Sequence, residues 1–242
     1  MYERPELKFA HQKLWSLIRR ELVKEKINAP KNLLTGINGK EVWRNNKLLF
    51  SQTCSLPFRN ELSNHVTYLA TPVYSLEDCP EGYYRSVFLV NIKNKDLKIS
   101  NFLDKVFACN SLNSQSGYAA PYNHIAKRCG WFSKKVLTGS HRNSVIMVAN
   151  GNADITCIDE LSWKIIKCFD GFSKNLIVLE KTIPTPALPY ITISASDYSE
   201  TIYKCLSSAF EQLQERFKKI LKIKTVIKVP LDEYLKIPNP PQ

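Results

Sequence analysis

Val106-Phe107-Ala108-Cys109-Asn110 leads through Ser111-Leu112 into Asn113-Ser114-Gln115-Ser116-Gly117-Tyr118, and this passage sets the reading of the whole chain. The apolar run reads as a buried strand. The cluster of small hydroxyl residues with one glycine marks the start of a helix over about 117–129. A helix start has free backbone N–H groups and a partial positive charge, so such a loop is a natural cradle for phosphate or another oxyanion. The pattern recurs downstream. Val136-Leu137-Thr138 is a second strand, followed by Gly139-Ser140-His141-Arg142-Asn143-Ser144 and a helix that Gly151 stops. Ala153 to Ile158 is a third strand, ending in Asp159-Glu160 before a helix over 161–169. Strands alternating with short helices predict parallel α/β units.

Upstream, Leu7, Ala10, Leu14, Leu17, Ile18 and Leu22 follow helical spacing and predict a helix from about Glu6 to Glu25. Strands are expected at 47–51, ending at Gln52-Thr53, at 66–70 and over 84–92. Downstream, a strand at 176–181 and a proline-rich passage at 183–189 lead into Tyr190-Ile191-Thr192-Ile193. One amphipathic helix is expected from about Asp197 to Leu221. Extended connections near 84–92 and 183–193 bracket the middle block. The expected architecture is therefore two α/β lobes with a two-strand hinge: residues 1–88 plus 188–242 in the first, and 89–187 inserted as the second.

The 34 Lys and Arg against 22 Asp and Glu leave a net charge of +12. These cations are spread along the chain without an RNA-binding or zinc-finger motif, so a lysine-rich solvated surface is preferred over nucleic-acid binding. A positive field also speeds capture of an anion. No apolar run is long enough to span a bilayer, and no apolar leader follows Met1. Seven scattered cysteines without a CxxC pair argue against a zinc site. Cys54 and Cys79, in turn-like segments, leave a disulfide open. No metal or cofactor is expected, and a monomer is the expected state.

Ligands of open α/β sheets bind beyond the carboxyl ends of the strands. The candidates there are Gln52 and Thr53, then Ser114, Gln115, Ser116, Gly117 and Tyr118, then Thr138, Ser140 and His141, and finally Asp159. Ser114 and Ser116 offer hydroxyl hydrogens and Gly117 allows close backbone approach, although a plain helix cap uses the same residues. His141 can donate ring hydrogens to an oxyanion; a surface histidine is the ordinary alternative. Asp159 can hold a cationic group or simply cap the helix after it. Tyr2, Tyr74, Tyr84 and Tyr118 can wall a pocket and enclose an organic substituent. The nucleophile elbow and the P-loop are both absent from the sequence, and Ser140 and His141, as neighbours, suit a nucleophile and its base poorly. Binding without turnover fits these residues better.

Leu49 to Cys54, Thr71-Pro72-Val73-Tyr74, Tyr84-Arg85-Ser86, Asn110 to Tyr118, Thr138 to Ser144 and Gly151 to Asp159 stand in an order that resembles a known family. It is the phosphate, phosphite and phosphonate-binding group of ABC-transporter solute-binding proteins. The resemblance implies a type II periplasmic-binding-protein fold. It implies that Ser114, Gln115, Ser116, Ser140 and His141 hold the ligand oxygens, with Asp159 and Tyr74 at an amine substituent. It also implies a periplasmic location and a permease partner. The family usually opens with a strand that this chain enters only near its end, so a cytoplasmic anion sensor stays open. So do a pyrimidine or sulfur ligand on the same fold, and an enzyme acting on a phosphorylated substrate.

Overall fold

The computed structural model describes residues 2–37, 39–193 and 197–241. The chain forms two compact units: residues 1–77, 81–83 and 186–234 make the first, and 78–80, 84–185 and 235–242 the second. Tyr83–Tyr84 and Thr185–Pro186 pair as a two-stranded sheet of their own.

In the second unit, five strands pair in the order Lys134–Leu137, Val106–Cys109, Ile155–Asp159, Ser86–Asn91, Leu176–Lys181. The first three are parallel, with Ala108 opposite both Val136 and Thr156. Ser86–Asn91, outside the strand–helix alternation that predicted parallel units, is antiparallel to both of its neighbours. It pairs Ser86 with Asp159 at one end and Val90 with Ile155 at the other. The expected lobe boundary at 88/89 and the expected connection at 84–92 also move, because Ser86–Asn91 lies wholly inside this sheet. Residues 235–242 likewise belong to the second unit rather than the first.

Strand alternation divides the core of this unit. Phe88, Val90, Phe107, Cys109, Ile155 and Cys157 pack on one face with Ile125 and Phe132. Val87, Leu89, Ala108 and Ile158 pack on the other with Val145, Val148, Trp163 and Ile166. A sheet covered on both faces needs apolar residues at successive positions, which is why Val87-Phe88-Leu89-Val90 shows no polar alternation. Phe107 stacks on Phe132 at 4.5 Å, and neither ring is exposed.

In the first unit, four antiparallel strands pair in the order Ser51–Gln52, Tyr190–Ile193, Val66–Tyr74, Ile223–Ile227. The helix Lys8–Lys24 buries Ala10, Leu14, Ile18 and Leu22, close to its expected span. The single helix expected over 197–221 is two: Ser199–Gln212 and Glu215–Leu221. Leu213 takes ψ of 122° between them, burying its side chain in place of a continued turn. Apolar periodicity continues across the break, so the pattern alone could not reveal it. Among the described residues no disulfide forms, between Cys54 and Cys79 or at any of the other five cysteines.

Candidate functional site: three capped helix starts

The three parallel strands of the second unit each run into a helix whose first turn is capped in the same way. Ser114 is extended (φ −110°, ψ 125°) and its Oγ accepts the Gly117 N–H at 3.0 Å. A wide turn over Gln115–Ala119 then feeds the helix Ala120–Cys129. Ser140 is extended (φ −150°, ψ 154°) and accepts the Asn143 N–H at 3.1 Å, opening the helix His141–Ala149. Asp159 (φ −64°, ψ 147°) accepts the Ser162 N–H at 2.7 Å and opens Glu160–Phe169. An extended residue with a short oxygen-bearing side chain is the arrangement a helix start requires. The helix-cap reading of all three residues is therefore correct locally, and what lies beyond it depends on how the three starts meet.

They meet at His141. Its Nε2 lies 2.8 Å from Ser116 Oγ and 3.4 Å from Asp159 Oδ2. One histidine thus links all three loops. Its Nδ1 is buried with no hydrogen-bonding partner among the described residues. Burial pushes the imidazole pKa below its ordinary value, and the Asp159 charge opposes that shift. The positive end of the helix that His141 begins also disfavours the imidazolium. Burial and the helix start thus both favour the neutral imidazole.

The arrangement contains a serine, a histidine and an aspartate, but it is not a nucleophile relay. A relay places the hydroxyl on one ring nitrogen and the carboxylate on the other. Here both approach Nε2. The geometry suits holding a ligand oxygen with several donors, not removing a proton from Ser116.

The two loops are also joined through backbone. Thr138 N–H donates to Cys109 O at 2.9 Å, and Gly139 N–H to Asn110 O at 3.1 Å. Gly139 has φ of +79°, the left-handed region that a side chain disfavours. The need at Gly117 is different: a Cβ there would sit 1.9 Å from Asn110 Oδ1. Asn110 is not among the expected site residues, yet its side chain occupies the space that only a glycine leaves. A polar residue ending an apolar strand just before the hydroxyl loop is the signal the sequence offers for it.

The remaining candidates sort themselves. Thr138 Oγ1 lies 2.6 Å from Ser144 Oγ and 3.1 Å from Ser140 O, bracing the second helix start. Gln115 is fully buried. Tyr118 is no pocket wall: its ring belongs to the core, edge-on to Trp131 at 5.7 Å. Tyr84 is also buried. Asp154, five residues before Asp159, fixes the start of the first strand by accepting the Val106 N–H at 2.8 Å.

In the first unit, Gln52 Nε2 donates to Tyr74 OH at 3.1 Å and to Leu188 O at 3.1 Å. Tyr2 meets Tyr74 edge to face at 5.7 Å. These three form a separate polar–aromatic group, and the 2–74 contact brings together residues far apart in sequence. Thr53 stands apart from it, fully buried, with its N–H donating to Pro189 O at 3.0 Å. Among the described residues no cluster of His, Cys, Asp or Glu could hold a metal ion. No helix among them is long and apolar enough to cross a membrane.

Comparison with solved structures finds the same fold at low identity. PA3383 from Pseudomonas aeruginosa, a binding component of an ABC phosphonate transporter, has 16% identity and a TM-score of 0.72, covering 94% of this chain and 79% of that one. PhnD1 from Prochlorococcus marinus has 17% identity and a TM-score of 0.69, covering 93% and 89%. XAC2383 from Xanthomonas citri has 12% identity and a TM-score of 0.71, covering 95% and 91%. The fold is the two-unit α/β architecture of type II periplasmic binding proteins. Among curated proteins no sequence match is found. A family profile described as "ABC transporter, phosphonate, periplasmic substrate-binding protein" matches residues 43–234, which include all three capped helix starts, and the chain belongs to that family.

Proposed function

We propose that this protein captures a phosphonate, phosphite or phosphate-like oxyanion at Ser114, Ser116, Ser140 and His141, and hands it on without chemical change. The observation that carries the reading is the 2.8 Å contact between Ser116 and His141, which draws two helix starts to one point. Helix N-termini and hydroxyl hydrogens match a dehydrated oxyanion better than they match a cation or an apolar ligand. Ser114 and Ser140 already accept from backbone, so each hydroxyl still has its hydrogen to donate. His141 Nδ1 adds a further polar atom when protonated.

The relatives supply two ligand chemistries to compare. PhnD1 from Prochlorococcus marinus was solved with methylphosphonate, and XAC2383 with ATP. Both ligands carry tetrahedral phosphorus, and they differ in the bulk attached to it. Gln52, Tyr74 and Tyr2 are our assignment for contacts to the substituent, with Asp159 available to a cationic group. Work in the periplasm with an ABC permease completes the proposal, and a monomer suffices for it.

Isothermal calorimetry with methylphosphonate, phosphite, phosphate, sulfate and ATP tests it. Methylphosphonate or phosphate is expected to bind at micromolar strength or better. His141→Ala and Ser116→Ala should each weaken that binding by roughly 30-fold, the loss of a hydrogen bond to a charged group. No heat from any of the five anions overturns the proposal.

A further inference from the structure

Away from the candidate site, the first unit carries a surface that anion capture leaves unused. Phe9, in the helix Lys8–Lys24, is 59% exposed, and Ile220, in the helix Glu215–Leu221, is 41% exposed. Phe9 meets Phe217 edge to face at 5.7 Å, so the two helices join through an aromatic pair that is only half covered. Ile220 lies one turn beyond Phe217 on the same short helix.

Cations surround these rings. The Lys13 ammonium stands 5.1 Å from the Phe9 ring centre, and the Arg216 guanidinium 4.7 Å from that of Phe217. Lys218, Lys219 and Lys224 line an adjoining depression of about 260 Å³. Glu215 also lines that depression and is engaged by Lys218 at 3.0 Å. Between residues 214 and 224 the chain carries five cations and this one acid.

We infer that this face is a docking surface for an anionic membrane, with Phe9 and Ile220 entering the headgroup boundary and the lysines meeting lipid phosphates. Charge complementarity selects the partner's sign, and the exposed aromatic and aliphatic groups select its kind. A basic face with apolar residues at its centre is the composition that binds the plane of an anionic bilayer. A nucleic acid or an acidic protein segment held by charge alone has no use for Ile220. Attachment of this sort is reversible, since two apolar side chains and a handful of cations fall far short of a membrane span.

Co-sedimentation of the full chain with phosphatidylcholine vesicles, with and without about one-third phosphatidylglycerol, provides the test. Binding is expected to the mixed vesicles only, and to fall about tenfold or more when salt is raised to about 0.5 M. The double variant Lys219→Glu/Lys224→Glu should bind about tenfold or more weakly. Phe9→Ala and Ile220→Asn should each lose about threefold or more. All three variants replace exposed side chains, and an unchanged melting temperature and unchanged anion titration will confirm that they fold. No binding to mixed vesicles, or equal binding to neutral ones, overturns the inference. So does a loss on charge reversal that Phe9→Ala and Ile220→Asn do not share, because that result describes an acidic macromolecule instead.

Discussion

The polar residues of the second unit are tied into helix starts, whereas those of the first are side chains reaching across a sheet. In the second unit, Ser114, Ser140 and Asp159 each satisfy a backbone N–H, and His141 joins the three loops. In the first, Gln52 spans from one strand to Tyr74 on another, with Tyr2 against that ring. The difference teaches how the work can be divided. Charge is best met by rigid backbone dipoles that need no reorganisation, while the shape of a substituent is best met by side chains that substitution can tune.

The most damaging change should therefore fall where backbone itself forms the candidate site. Gly117→Ala would force a carbon to within 1.9 Å of Asn110 Oδ1, so the loop or Asn110 must move. We expect a loss of about 1–3 kcal/mol in stability, together with loss of detectable anion binding. Thermal unfolding and calorimetry on the same variant will show both. A variant that binds as the parent does would mean the loop backbone is not part of the site.

A smaller, signed effect is expected from pH. The lowered pKa of His141 means that an oxyanion beside the ring, by favouring the imidazolium, takes up a proton on binding. Affinity should then rise as pH falls from about 8 toward 6.5, and His141→Gln should remove that part of the slope. Calorimetry in buffers of different ionisation heat counts the proton directly. The same shift has the opposite consequence for the unliganded fold. The unfolded chain protonates first, so the contribution of His141 to stability is present above about pH 6.5 and lost as pH falls through the lowered value. An identical affinity slope in His141→Gln would show that the ligand's own titration accounts for it.

The smallest effect should come from the first unit. Gln52→Ala removes the side chain assigned to the substituent, and the loss of one neutral hydrogen bond to it, about 1 kcal/mol, is roughly fivefold in affinity. The internal bonds to Tyr74 and Leu188 O are lost with it and should show as a lower melting temperature. The loss of affinity should fall on substituted phosphonates and leave inorganic phosphate nearly unchanged. Equal losses for both ligands would collapse the division between charge and shape.

Much of this organisation is legible in the sequence. Local hydrogen bonding sets a helix start within four residues, so Ser114, Ser140 and Asp159 can each be recognised as caps and anion candidates from their immediate neighbours. The order of the motifs from Leu49 to Asp159 likewise points to the family that the profile match shows over residues 43–234. Less can be said of Tyr118. An aromatic beside a binding loop looks the same in sequence whether its ring faces solvent or Trp131. Asn110 escapes notice because its role is to fill the space beside Gly117, and that space exists only once the loop has turned.

What the chain determined on its own is its local grammar: buried strands without alternation, hydroxyl caps at helix starts, and glycine where the backbone turns. These follow from interactions within a few residues, each satisfied wherever the segment sits. Only the tertiary structure decided that Ser86–Asn91 runs antiparallel to its neighbours, that the last long helix breaks at Leu213, and that His141 stands between Ser116 and Asp159. The physical reason is that strand pairing and the packing of helix starts depend on partners far away along the chain. No local preference specifies such partners, and burial of the shared core selects among them.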